Sequence, residues 1–526
     1  MEALWAIILA FVLGFAVRQV GLPPLVGFLV AGFVLHAYGF ERGEPIDTIS
    51  NLGVTLLLFT IGLKLRIQSL LRPEVWAGAS IHMLITVIVF GLGTFGLAAV
   101  GFSYFAGLSF WTSMLIAFAL SFSSTVFAVK VLEGRGEMAS LHGRTAIGIL
   151  IIQDILAVVF LTASTGKLPS PWALALISLL FIRPLLTAIL ARTGHGELMI
   201  LYGLCLAVGG GLMFELVDLK ADLGALIIGM LFATHPKAEE LSKAMLGFKD
   251  LFLVGFFLTV GLAGPPSLEA LGIAALLTVV VPFKVALFFV LLTRFRLRSR
   301  TATLASLSLA NYSEFGLIVG AVSAANGWIG IEWLTIFAIA LSLTLVLASP
   351  INAASQTIYT RFASAIDRFQ TKAYHPEEQP VDLGPASIAI LGMGRVGTAA
   401  YDFLRGRVGD KVIAVDLDPL VVEKHKQAGR NVVQGDATDR GFWQEAQPGQ
   451  VQLVILAMGA HAATVLTAEE LLAHGYTGTI TAVARYPDEV EQLEKLGVKA
   501  AYNLYTEAGA AYAEHVYEQF GAQFAR

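Results

Sequence analysis

One carboxylate, Asp154, interrupts the apolar run Ile149-Leu150-Ile151-Ile152-Gln153-Asp154-Ile155-Leu156-Ala157-Val158-Val159. An ionisable group inside a span-length apolar stretch costs a few kcal/mol on insertion scales, and such groups mark ion or proton pathways. Packing alone is the competing account, and that cost argues against it. Three further places break the apolar rule. Ser121-Phe122-Ser123-Ser124-Thr125 puts hydroxyls mid-span, where they can bond carbonyls and tolerate an unwound turn. Lys284 lies too deep in Val281-Pro282-Phe283-Lys284-Val285-Ala286 to reach water comfortably, and Asp154 is its available partner. Asn311-Tyr312-Ser313-Glu314-Phe315-Gly316 is a second polar interruption, in which Glu314 faces either the ion site or a cytoplasmic vestibule.

These groups suggest one carboxylate shared by competing ligands. Deprotonated, Asp154 binds a monovalent cation with help from Gln153 and the oxygens of Ser123, Ser124 and Thr125; protonated, it does not. Oxygen ligands suit a hard cation such as Na⁺ or K⁺. Alternating exposure of that site exchanges cation for proton.

The elements that must hold these residues are membrane spans. The chain of 526 residues is 56% hydrophobic and 14% charged, against about 25% charged in soluble domains. The split is uneven: long apolar runs dominate to about Pro350, and an ordinary soluble composition follows from Arg361. The expected architecture is a polytopic α-helical membrane domain (1–360), a linker (361–385) and a cytosolic α/β domain (386–526). The N-terminus lacks the basic start and small-residue cleavage site of a signal peptide, so Leu4 to Val20 reads as the first span. About thirteen spans of membrane length follow, near 3–20, 24–39, 50–65, 74–100, 109–130, 145–165, 171–191, 198–217, 222–234, 248–263, 268–293, 302–325 and 332–358. Alternate loops carry the basic residues: Arg18; Lys64, Arg66 and Arg72; Lys130, Arg135 and Arg144; Arg192; Lys237, Lys243 and Lys249; Arg294 to Arg300. The opposite loops hold only Arg42, Lys167 and Lys220. The first set is therefore cytoplasmic, which places the soluble tail inside the cell. The polar breaks fall in the fifth and twelfth spans. They lie an odd number of spans apart, as expected of broken crossing helices in inverted repeats around a midplane substrate site.

In the tail, Ala386 to Leu391 reads as a strand, Gly392-Met393-Gly394-Arg395-Val396-Gly397 follows, and Thr398 to Arg405 as a helix. A glycine pattern placed between strand and helix lets phosphate rest on backbone N–H groups. The next strand ends in Asp416, about 20 residues on, as an acid that bonds an adenosine ribose. Gly435-Asp436-Ala437-Thr438 closes a third strand. The net charge of -4 gives no sign of nucleic-acid binding, and no hydride-transfer catalytic set accompanies the glycine loop. The lone Cys205 excludes an intrachain disulfide.

With these residues in hand, the chain resembles the Kef-type potassium:proton antiporters of the second monovalent cation:proton antiporter family. The resemblance rests on Leu25 to Gly32, Leu52-Gly53-Val54 through Gly62-Leu63, Ser123-Ser124-Thr125, Gln153-Asp154-Ile155, Phe256-Phe257 through Gly261, Lys284, and the tail from Gly392 to Asp416 with Gly435 to Thr438. It implies a homodimer in the cell inner membrane, with room for an ancillary regulatory subunit. It also implies a cytosolic domain that binds AMP or NAD(H) and restrains transport. The Gln153-Asp154 pair resembles the potassium-selective branch. Glutathione-gated members carry an acidic loop before the tenth span, whereas Glu239 to Gly247 here holds Lys243 and apolar residues. Three rivals remain at this point: a sodium:proton antiporter, a nucleotide-gated potassium channel, for which no Thr-Val-Gly-Tyr-Gly-like filter is present, and a membrane NAD oxidoreductase, for which no paired-His or Cys-rich centre is present.

Overall fold

The computed structural model describes residues 2–19, 24–40, 43–64, 70–164, 170–219, 221–262, 267–446 and 450–520. Arg42, Arg66, Lys167 and Lys220, used above for orientation, lie outside them. The chain divides into two compact units. Met1–Val129, Thr145–Phe295 and Ser299–Gln370 form the first; Lys130–Arg144, Arg296–Arg298 and Thr371–Arg526 form the second.

The first unit is helical, and each expected span has a helix or a broken pair. The first half holds α1 (Glu2–Gln19), α2 (Pro24–Ala37), α3 (Glu44–Lys64), α4 (Pro73–Ala99), α5 (Phe110–Ser121) with α6 (Thr125–Arg135), and α7 (Leu141–Ser164). A 3-10 turn leads into α8 (Ser178–Arg192). The second half holds α9 (Glu197–Glu215), α10 (Ala221–Phe232), α11 (Ala238–Gly261), α12 (Leu268–Val279) with α13 (Val281–Arg294), α14 (Ser299–Ser308) with α15 (Glu314–Ala325), and α16 (Glu332–Ala353). Then α17 (Ser355–Ile366) runs into the segment expected as a linker. Among the described residues, six helical segments are long and apolar enough to cross a membrane: 73–99, 110–135, 171–192, 197–215, 268–294 and 332–353. Their large apolar residues, such as Leu84, Trp111, Phe181 and Leu268, are exposed, as side chains facing lipid are.

Glycine contacts reveal the internal repeat. A Cβ at Gly27 on α2 would lie 2.6 Å from Gly14 Cα on α1, and one at Gly224 on α10 would lie 2.8 Å from the Gly210 carbonyl carbon on α9. Likewise a Cβ at Gly32 on α2 would lie 2.6 Å from Gly261 Cα on α11, and one at Gly62 on α3 would lie 2.9 Å from Gly229 Cα on α10. The α1/α2 contact thus recurs as α9/α10, and the α2/α11 contact as α10/α3. Helix backbones touch where only hydrogen occupies the side-chain position, the packing that lipid-embedded helices use in place of a hydrophobic driving force.

Two sequence expectations change. The basic and acidic stretch around Glu239 to Lys249, expected as a loop, is the first part of the continuous helix α11. The eleventh span, expected to be continuous, breaks at Val280, where Pro282 at the second position of α13 removes an amide donor.

The second unit is built on a parallel six-stranded sheet ordered β3-β2-β1-β4-β5-β6. Its strands are β1 (Ile388–Leu391), β2 (Val412–Asp416), β3 (Val432–Gln434), β4 (Leu453–Leu456), β5 (Thr479–Ala484) and β6 (Ala500–Asn503). Ile388 stands opposite Val412 on one side and Leu453 on the other. Both faces are apolar: Leu391, Ile413, Trp443 and Val454 pack on one, and Ile390, Tyr401, Val412 and Ala414 on the other. Helices α18 (Arg395–Val408), α19 (Pro419–Gln427), α20 (Arg440–Ala446), α21 (His461–Ala473) and α22 (Pro487–Leu496) alternate with the strands, and α23 (Leu504–Phe520) ends the described chain. This is the Rossmann-like α/β domain expected. Arg144, in the first turn of α7, belongs to this unit. It pairs with Glu377, whose Oε2 also accepts from Gln434 Nε2 at 2.9 Å at the end of β3.

Candidate functional site

The fifth span breaks at Phe122-Ser123-Ser124, between α5 and α6, with Phe122 extended at φ -70°, ψ 150°. The twelfth breaks at Ala310 to Ser313, between α14 and α15. The two spans touch closely: a Cβ at Gly316 on α15 would overlap the Ala119 carbonyl on α5. A helix break strands amides on one side and carbonyls on the other. Buried in the membrane domain, each needs a partner.

Side chains from other helices supply those partners. The Ser123 amide donates to Gln153 Oε1 at 2.9 Å, and the Ser124 amide to Asn311 Oδ1 at 2.6 Å. Ser124 Oγ caps α6 by accepting from the Phe127 amide at 3.3 Å, while Ser123 Oγ donates to the Leu309 carbonyl at 3.0 Å. The Lys284 ammonium donates to the carbonyls of Leu120 at 3.1 Å, Phe122 at 2.8 Å and Asn311 at 3.2 Å. It also stands 4.8 Å from the centre of the Tyr312 ring. The expected pairing of Lys284 with Asp154 is therefore corrected. All three ammonium hydrogens are directed at carbonyls at the two breaks.

Asp154 is buried on α7 at 2% exposure. Thr125 Oγ1 donates to its carboxylate, 3.1 Å from Oδ2 and 3.4 Å from Oδ1. A carboxylate has about four acceptor positions. Among the described residues this one has a single hydroxyl donor and no ion pair, so it keeps the capacity to take a proton or a cation. Glu314 opens α15 and is buried with Ser124 and Ser313 beside its carboxyl. Its Oε1, like Gln153 Nε2, has no hydrogen-bond partner among the described residues. The structure thus brings Asp154, Gln153, Ser123, Ser124 and Thr125 together at one break and Lys284 beneath it, with Glu314 at the second. Gln153, expected among the cation's ligands, has its oxygen on the Ser123 amide. Ser123, expected likewise, has its hydroxyl hydrogen on a carbonyl.

Asn311 and His82 were not assigned from sequence. Asn311 carried a signal, its place in the polar interruption. His82 is a lone histidine in an apolar helix: its Nε2–H donates to the Lys284 carbonyl at 3.2 Å, and its ring stacks on Phe288 at 3.4 Å.

In the second unit the glycines divide the work of the phosphate loop as a dinucleotide fold requires. Gly392 has φ +98° at the turn. A Cβ at Gly394 would meet nothing within 4 Å, which leaves the loop open to a ligand, and one at Gly397 would overlap the Gly392 carbonyl. Arg395 and Val396 start α18, whose first amides face the same edge. Asp416 Oδ2 accepts from the Met393 amide at 2.6 Å and Oδ1 from the Asp418 amide at 2.9 Å. Burial pushes its carboxyl above the usual carboxylate range, and those two amides pull against the shift. Asp436 Oδ1 accepts from the amide of Thr438 at 3.0 Å and from its hydroxyl at 2.6 Å, and the Ala437 carbonyl accepts from Trp443 Nε1 at 2.8 Å. This brings all the expected nucleotide-site residues to the carboxyl ends of β1 to β3.

Comparison with known proteins covers both units. The family model for the transmembrane sodium/hydrogen exchanger matches residues 6–353, and that for the TrkA-N domain matches 388–504. The glutathione-regulated potassium-efflux system protein KefC of Escherichia fergusonii is 30% identical, over 93% of this chain and 80% of its own length. The protein of the same name from Salmonella schwarzengrund is 29% identical over the same shares. Among solved structures, the sodium proton antiporter MjNhaP1 of Methanocaldococcus jannaschii is similar over 70% of this chain and 99% of its own, at 13% identity and a TM-score of 0.46.

Proposed function

Because the chain belongs to the transmembrane sodium/hydrogen exchanger family, we propose that it exchanges K⁺ for protons by alternating access, with Asp154 shared between the two. It is a transporter of the cell inner membrane and not an enzyme, with its nucleotide-binding-type domain on the cytoplasmic side. Residues 1–360 carry exchange and 386–526 regulate it. K⁺ is favoured over Na⁺ because the potassium-efflux proteins are similar over 93% of the chain. The observation that carries the reading is the carboxylate itself: buried mid-helix, touched by the Thr125 hydroxyl, and left unpaired by Lys284. Thr125 orients it, Gln153 and Lys284 hold the helix break, and Glu314 supplies a second acid at the facing break. The protein acts as a homodimer.

Purified protein in proteoliposomes with an imposed pH gradient tests this. Addition of K⁺ is expected to dissipate the gradient, and Na⁺ at equal concentration to do so far less. Equal responses to both ions would make the protein an unselective exchanger, and current without proton movement would make it a channel.

The regulatory ligand is AMP or NAD(H), held by its phosphate on the 392–397 loop and its ribose at Asp416. Loop 435–438 closes the same edge. Gly394→Asp is expected to fold normally, since its side chain enters open space. A carboxylate placed where phosphate rests should weaken nucleotide binding about tenfold or more. Isothermal titration with AMP and NADH is the check, and unchanged affinity for both would remove the assignment.

A further inference from the structure

Asn311 has no role in the reading above, yet it touches both breaks. It is fully buried. Its Oδ1 accepts from the Ser124 amide at 2.6 Å, its main-chain carbonyl accepts from Lys284 at 3.2 Å, and its Nδ2 donates to the Ser308 carbonyl at 3.4 Å. One residue of the twelfth span thereby holds the amide side of the break in the fifth and the ammonium that binds its carbonyl side. The first amides of a helix carry its partial positive charge, which attracts anions. The bare Ser124 N–H would present that charge one residue from Thr125, beside a carboxylate meant for a cation.

We infer that Asn311 is a positioning residue for the ion site: it locks the two helix breaks to one geometry and covers the Ser124 amide, so that the cation meets oxygens. The inference rests on the exchanger reading of Asp154. Gln153 treats the neighbouring Ser123 amide in the same way, so the two amide side chains form a matched pair of covers. A purely structural asparagine would affect folding without changing cation affinity selectively; a cover over the amide changes affinity first.

The test is the K⁺ dependence of proton flux in proteoliposomes. Asn311→Leu keeps the branching at Cγ and removes the acceptor. It is expected to raise the KM for K⁺ about tenfold, the size of an uncovered buried donor, with the maximal rate within about threefold of the parent. Asn311→Asp restores an oxygen at the same place and is expected not to raise KM. A parental KM in the Leu variant, or a KM raised equally in the Asp variant, overturns the inference. Should the Leu variant not fold, Asn311→Ala relieves any steric conflict, and a parental KM there overturns it as well. Asp154→Asn run alongside separates the two levels. Exchange surviving in that variant refutes the exchanger reading, whereas its loss beside a parental Asn311→Leu refutes only the role of Asn311.

Discussion

Asp154→Asn is expected to abolish cation-dependent proton flux, by at least about a hundredfold, the scale set by removing a positioned proton carrier. The change is isosteric, and the new side chain still offers an oxygen to the Thr125 hydroxyl that now bonds Asp154. What it loses is the ability to alternate between a neutral and an anionic state. Without the anion, no charge compensates a dehydrated K⁺; without the titration, no proton is carried back. Folding should be unharmed or improved, because a buried neutral amide costs less than a buried charge. Parental melting in detergent together with lost flux in proteoliposomes is the expected pair of results. Flux retained at the parental rate would show that the shared carboxylate lies elsewhere.

Lys284→Met is expected to have the largest effect on stability. The methionine preserves an unbranched stem beside Tyr312 but leaves the Leu120, Phe122 and Asn311 carbonyls without their donor. Each buried polar group deprived of its partner costs about 1–3 kcal/mol, so a loss of about 3 kcal/mol or more is expected, read as a lower unfolding temperature in detergent. Had Lys284 been the counter-ion of Asp154, the double variant Asp154→Asn/Lys284→Met would recover much of that loss, since neither charge would remain unpaired. The geometry predicts instead that the two effects add. Recovery in the double variant would restore the ion pair expected from sequence.

The sites were legible in sequence to different depths. Asp154, Ser123 to Thr125 and Asn311 to Glu314 stood out because each is a polar intrusion in a run that otherwise belongs in hydrocarbon, and lipid tolerates few of those. The glycine loop of the second unit was equally plain, since its three glycines are separated by spacings that local backbone geometry demands; Gly392 has a positive φ and Gly397 a close backbone approach. The break at Val280 was missed because the apolar run from 268 to 293 is uninterrupted in composition, and a proline near a helix start leaves no polar trace. Charged residues at the start of α11 read as a loop by composition, although a helix extending past the apolar core keeps its hydrogen bonds in any solvent.

The sequence by itself determined that thirteen apolar runs precede a nucleotide-binding-type domain, that the fifth and twelfth are interrupted, and that one acid lies where acids are expensive. Run length, composition and local spacing are properties of neighbouring residues and need no fold. Only the tertiary structure decided which group serves which. It placed Lys284 on three carbonyls rather than on Asp154, turned the oxygens of Gln153 and Asn311 onto stranded amides, and left Asp154 to a single hydroxyl. Those partners are 27 to 187 residues apart. Several donors of the right type compete for each acceptor, and the choice among them is made by helix crossings that glycines such as Gly32, Gly62 and Gly316 allow to come close.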